Sequence, residues 1–180
     1  MEEQGRSTRA VGMRAVALKL GVSLVVGLSA ISMLLSGPAA ANTYSKDWDQ
    51  RNHIRSRARS AVGSSYRYGG ASRRGFDCSG LTMWTWGGHG ANLPHSSQRQ
   101  FDLGKRDSHK RIWKRNRLKV GDLVFHKTTS ARVGHAGIYI GNGKFISATS
   151  SSGVRVRNLY DGYWGPRWVG ATRLPVVIRG

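Results

Sequence analysis

From Val120 onward the chain breaks into short apolar runs separated by Gly, Asn and Ser, and this punctuation constrains the fold more than any other feature. The runs are Leu123-Val-Phe125, Ala136-Gly-Ile-Tyr-Ile140, Lys144-Phe-Ile146 and Val154-Arg-Val-Arg157. Such short runs with such tight connections predict antiparallel strands, because a parallel pair needs a crossover of about a dozen residues. Tyr163, Trp164, Trp168 and Leu174 follow as core or edge packing.

Upstream the spacing is helical. Trp48, Ile54, Ala58 and Val62 mark an amphipathic helix over Tyr44 to Val62, with a thin apolar stripe, a basic solvated face and Gly63 as its stop. Leu81, Met83, Trp84 and Trp86 suggest the inner face of a second helix, beginning at Cys78 and ended by Gly87-Gly88. Ser96 or Ser97 would cap a third, with Phe101 and Leu103 turned inwards. Lys105 to Lys119 is charged throughout and reads as an exposed loop. Helices first and a sheet afterwards make an α+β chain, and 180 residues with 39% hydrophobic content support one core.

Residues 1–41 stand apart from that core. Arg6, Arg9, Arg14 and Lys19 lead into an uncharged apolar run, Leu20 to Leu35, followed by Pro38-Ala-Ala-Ala41. This is the pattern of an export signal, the true start being Met1 or Met13. At about 16 residues the run is shorter than the ~20 that span a bilayer, which favours cleavage over an uncleaved anchor. No cysteine lies near the end of the run, which excludes a lipid-modified N-terminal cysteine. With 1–41 set aside, the chain keeps 25 basic and seven acidic side chains, a net +18. Such a surface seeks a polyanion or simply stays soluble. In an exported protein the polyanion is a wall polymer or an anionic lipid surface rather than nucleic acid.

Cys78 is the only cysteine in 180 residues, so it has no intramolecular disulfide partner. At a helix N-terminus, free N–H groups and the helix dipole favour an anion, which would ionise the thiol below its free value of about 8.5. The alternative is a small buried hydrophobe. His135 opens the run His-Ala-Gly-Ile-Tyr-Ile, sharing a face with Gly137 and Tyr139 while Ala136, Ile138 and Ile140 face the other way. It is a candidate base or an ordinary polar strand end. What lies beside it depends on the turn at Gly141-Asn142-Gly143. A two-residue turn sets Ser150 opposite His135, whereas a three-residue loop sets Ser147 opposite Gly137. The six histidines are scattered and no acidic residue stands near them at ligand spacing, so neither a metal nor a cofactor is expected.

Five ordered blocks carry a resemblance: Tyr66-Arg-Tyr-Gly-Gly70, Phe76-Asp-Cys-Ser-Gly80, Leu93-Pro-His-Ser-Ser-Gln98, Val120-Gly-Asp-Leu-Val-Phe125 and Gly134 to Ile146. Together they resemble the NlpC-type cell-wall peptidases, papain-like cysteine hydrolases of peptidoglycan peptides. The resemblance implies a papain-like α+β fold with the nucleophile at a helix N-terminus packed on an antiparallel sheet. It covers the peptidase domain (55–180), which leaves the signal (1–41) and a basic lead-in helix (42–54) before it. It makes Cys78 the nucleophile and His135 the base, with Tyr66, Asp77 and Ser79 at the oxyanion and substrate side. The third position, usually His in the family, is Ser147 here, and His126 is a substitute to consider. A monomeric, exported endopeptidase acting on peptidoglycan in the periplasm or wall is the expectation, and a wall-binding module that has lost turnover is the alternative.

Overall fold

The computed structural model describes residues 38–175; of the expected signal only Pro38–Ala41 falls among them, opening the first helix. Helix α1 (Pro38–Ser60) runs without a break through residues 54 and 55. Ile54 and Ala58, one turn apart, are fully buried, whereas Trp48 is 60% exposed and Val62 39% exposed. The stripe expected from sequence is therefore shorter than predicted. Six helical residues separate Trp48 from Ile54, which turns the two side chains about 120° apart, and Val62 lies beyond the helix end. Nor is the basic face wholly solvated. Arg51 is buried, donating to Asp47 Oδ1 (2.8 Å) and to the Val120 carbonyl (3.0 Å).

A small hairpin, β1 (Ala71–Ser72) and β2 (Gly75–Phe76), leads into helix α2 (Cys78–Gly87). The hairpin is pressed onto the start of α2 so closely that a Cβ on Gly80 would stand 2.0 Å from the Gly70 carbonyl oxygen, which only glycine allows. Leu81 and Trp86 are buried, and Trp86 Nε1 donates to the Gly121 carbonyl (3.1 Å). Helix α3 (Ser97–Asp102) has Ser96 as its N-cap, accepting from the Arg99 N–H, and turns Phe101 inwards.

The remaining strands are β3 (Lys110–Ile112), β4 (Leu123–His126), β5 (His135–Gly141), β6 (Lys144–Thr149), β7 (Gly153–Asn158) and β8 (Trp168–Arg173). They form one antiparallel sheet in the order β3-β8-β4-β5-β6-β7. Strand β3 corrects the loop expected over Lys105 to Lys119. Ile112 is buried and Arg111 lies 3.4 Å from the centroid of the Phe101 ring, enough to seat an edge strand whose other residues are charged. One face of the sheet, with Leu123, Phe125, Ala136, Ile138 and Ile146, packs with Ile54, Leu81 and Trp86 of the helices. The other gathers Val124, Phe145, Leu159, Trp164 and Ala171.

The β5–β6 hairpin combines both sequence alternatives. Asn142 and Gly143 have φ of 52° and 68°, a two-residue turn of the primed type. The pairing then shifts at a bulge between Tyr139 and Gly141, so that Tyr139 faces Phe145 and Ile138 faces Ile146. Continued by one residue, that register sets Ser147 opposite Gly137.

Candidate active site

Asp77 organises the start of α2. Its Oδ1 accepts from the Gly80 N–H (2.7 Å) and the Ser79 hydroxyl (3.1 Å), and its Oδ2 from the Gly69 N–H (2.9 Å). His95 Nε2 stands 2.8 Å from Oδ2 and 3.0 Å from Oδ1. Burial alone would raise this carboxyl, but the Gly80 N–H, His95 and Ser79 hold it below the ordinary carboxylate range. Gln100, fully buried, bonds the Ser79 and Pro94 carbonyls (3.1 and 2.8 Å) and ties the segment before α3 to the same helix start.

Two donors at the helix start lie outside this bonding. The Asp77 N–H goes to the Gly70 carbonyl, the Gly80 N–H to Asp77 Oδ1 and the Leu81 N–H to the Asp77 carbonyl. The N–H groups of Cys78 and Ser79 remain, and both act on the Cys78 sulfur, as does the Ala136 N–H of β5. Ala136 is the residue next to His135.

His135 is 6% exposed at the mouth of β5. Its ring stacks on Trp164 at 4.8 Å between centroids and 29° between planes. Trp164 is held in turn by Asp161, whose Oδ1 accepts from the Tyr163 and Trp164 N–H groups (3.0 and 2.7 Å). A stacked ring thus fixes the imidazole plane. His135 Nε2 and the Ser147 hydroxyl are both buried without a hydrogen-bond partner. A cavity of about 610 Å³ opens above, with Tyr66, Cys78, His135, Arg157, Asp161 and Trp164 in its wall.

A cysteine at a helix N-terminus, a histidine on the adjoining strand and a shared cavity form the arrangement of a papain-like hydrolase. A model of the NlpC/P60 family matches residues 63–173, well over half of the chain. The chain belongs to the NlpC/P60 family. The murein DD-endopeptidase/LD-carboxypeptidase MepS of Escherichia coli K12 is 39% identical over 113 residues, 62% of this chain and 56% of that protein. The probable peptidoglycan endopeptidase LytE of Bacillus subtilis is 40% identical over 116 residues, 64% of this chain and 32% of that one. A crystal structure of an NlpC/P60 protein from Bacillus cereus superposes with a TM-score of 0.61 at 25% identity, over 71% of this chain and 40% of that chain. The chain thus spans about half the length of MepS and a third of LytE.

In this NlpC/P60 domain burial sets the protonation of the pair. It pushes the Cys78 thiol up, with Asp77 adding to the effect and the three N–H groups opposing it. This corrects the expectation of a thiol ionised by the helix terminus, since loss of solvent outweighs the helix end. Burial also brings His135 down to about 4, the nearby Arg157 guanidinium helping. Both shifts favour the neutral thiol and the neutral imidazole over a preformed ion pair.

Of the residues singled out from sequence, Cys78, His135 and Tyr66 meet at the cavity. Ser147 lies fully buried on β6, while Asp77 and Ser79 sit in the cap beneath the cysteine. His126 is fully buried, its ring 6.5 Å from His135, and neither of its nitrogens has a partner. Sequence reasoning gave no part in the site to His95, Trp164 or Arg157, Trp164 being read as core or edge packing. A possible signal for His95 was its place in the Leu93-Pro-His-Ser-Ser-Gln98 block; none marked the other two.

Proposed function

We propose that the protein is an exported cysteine endopeptidase that hydrolyses a peptide bond in peptidoglycan stem peptides or cross-links. The observation that carries this is Cys78, at the start of α2, sharing one cavity with His135 at the mouth of β5. Export rests on the signal pattern of 1–41; the basic lead-in of 42–54 is continuous through α1 with the peptidase domain of 55–180.

Neutral His135 takes the Cys78 proton as sulfur attacks the amide carbonyl, and the carbonyl oxygen gains the negative charge. The Cys78 and Ser79 N–H groups, helped by the Tyr66 hydroxyl, stabilise that oxyanion. His135 passes its proton to the leaving amine, and a thioester remains on Cys78. Water, deprotonated by His135, attacks the thioester, and the thiol and the free carboxylic acid are released. Since thiol and imidazole both begin neutral, proton transfer accompanies attack and the orientation of His135 matters throughout.

The unpaired Nε2 of His135 and Ser147 hydroxyl favour a second reading, a wall-binding module that has lost turnover. Digesting purified peptidoglycan with wild type, Ser147→Ala and Ser147→His, with products identified by mass, separates the two. The peptidase reading expects peptide-bond products from wild type and about a tenfold loss in Ser147→Ala, or ~1.4 kcal/mol in the barrier. Wild type without turnover, restored by Ser147→His, would establish the second reading.

The basic surface brings the protein to an anionic wall polymer or lipid surface. Exposed charges are screened beyond about 8 Å at physiological salt, so sedimentation with isolated walls is expected to weaken steeply as salt rises. Equal binding at about 50 mM and about 500 mM salt, between which the Debye length shortens roughly threefold, would remove this role.

A further inference from the structure

The cavity wall carries a cation that the proposed reaction does not use. Arg157 stands on β7 directly across from Phe145, and its side chain reaches the cavity beside His135. Its Nη2 donates to two neutral hydroxyls, Thr149 Oγ1 (3.0 Å) and Ser152 Oγ. Its Nε is buried without a partner. Among the described residues none of the ion pairs includes Arg157. Asp161, the carboxylate in the same wall, has its Oδ1 committed to the Tyr163 and Trp164 N–H groups. The guanidinium is thus held in place by neutral hydroxyls, with no carboxylate paired to it among the described residues.

A planar fork of donors, fixed beforehand and partly desolvated, suits a carboxylate better than any neutral group. We propose that Arg157 anchors a free carboxylate of the bound peptide next to the scissile bond, and that the cavity thereby selects acidic stem peptides over their amidated forms. The proximity of Arg157 to His135 fits this role. The guanidinium lowers the basicity of the imidazole in the empty site, and a carboxylate arriving on it offsets that charge. Correct substrate then both occupies the anchor and strengthens the base.

The inference concerns the site of the proposed peptidase, but binding tests it without turnover. Full-chain Cys78→Ala protein is titrated calorimetrically with a synthetic stem peptide bearing free carboxylates and with the same peptide carrying carboxamides. The carboxylate form is expected to bind at least about tenfold more tightly. Arg157→Gln on the same background is expected to erase that ratio, and Arg157→Lys, which keeps the charge without the fork, to retain part of it. An unchanged ratio in Arg157→Gln, equal affinities for both peptides in the parent, or no binding of the carboxylate form would each overturn the anchor. Turnover of wild type is measured separately. Intact discrimination without turnover overturns the peptidase reading and supports the anchor, whereas turnover without discrimination overturns the anchor alone.

Discussion

Cys78→Ala and His135→Ala are each expected to abolish detectable peptidoglycan cleavage, a loss of roughly 10⁴-fold or more. The two losses should not add, because thiol and imidazole act as one unit. Both variants should remain folded. Cys78 is the first residue of α2, where alanine is a good helix former, and the cap that holds this end belongs to Asp77. His135→Ala removes a buried ring nitrogen that has no partner, which offsets part of the packing lost against Trp164. Circular dichroism and thermal melts check the fold, and muropeptide analysis checks the activity. Full turnover in either folded variant would end the hydrolase assignment. Alkylation of wild-type Cys78 by iodoacetamide is expected to be slow at neutral pH and to accelerate above about pH 9, since burial pushes the thiol above its free value of about 8.5.

The parts of this molecule that were legible in the sequence are those written in local pattern. Strand β5 announces itself by alternation, and Ala136, Ile138 and Ile140 do face the helices as the period of two requires. Strand β3 did not, because Ile112 sits in a run of charge and its edge position is secured by Arg111 lying on Phe101, a contact made only after folding. The position of Ser147 depended on one bulge at the β5–β6 turn, and turn chemistry alone allowed either register.

The site divides along the same line. Cys78 and His135 stand in recognisable motifs, yet what fixes them comes from distant parts of the chain. His95 holds Asp77 from 18 residues away, and Trp164 stacks on His135 from a loop after β7. The thiol shows a second limit. A helix N-terminus can be inferred from sequence, but the depth to which the fold buries the sulfur cannot, and here burial dominates. Arg157 reads in sequence as one more charge in a basic strand; only the pairing with Phe145 places it in the cavity wall.

Stability is expected to fall steeply between about pH 6.5 and pH 4, because two buried histidines refuse protons that the unfolded chain accepts. Burial lowers His126 to about 3, His135 and Arg115 adding to the effect, and lowers His135 to about 4. Unfolded histidine titrates near 6.5. Above that value neither state binds the proton and both histidines leave stability unaffected by pH. Below it the unfolded state gains protons first, and each histidine costs about 1.4 kcal/mol per pH unit until its folded value is reached. Two such groups together amount to several kcal/mol by pH 4, comparable with the roughly 5–15 kcal/mol that hold a domain folded. His126→Phe isolates one of them. The His126 ring is stacked on Phe145 at 5.0 Å and meets Trp164 and Trp168 edge-on at 5.0 and 5.9 Å, so a phenyl ring fits the same apolar surroundings. Removing two unpaired buried nitrogens should stabilise the protein at neutral pH by about 1–3 kcal/mol and roughly halve the acid slope. Denaturant midpoints measured at half-unit pH steps decide it, and an identical slope in wild type and variant would refute the assignment. Turnover of the same variant tests His126 as the missing third partner. It should be unchanged if Trp164 is what holds the imidazole, and a loss of an order of magnitude would instead make His126 the residue that orients the base.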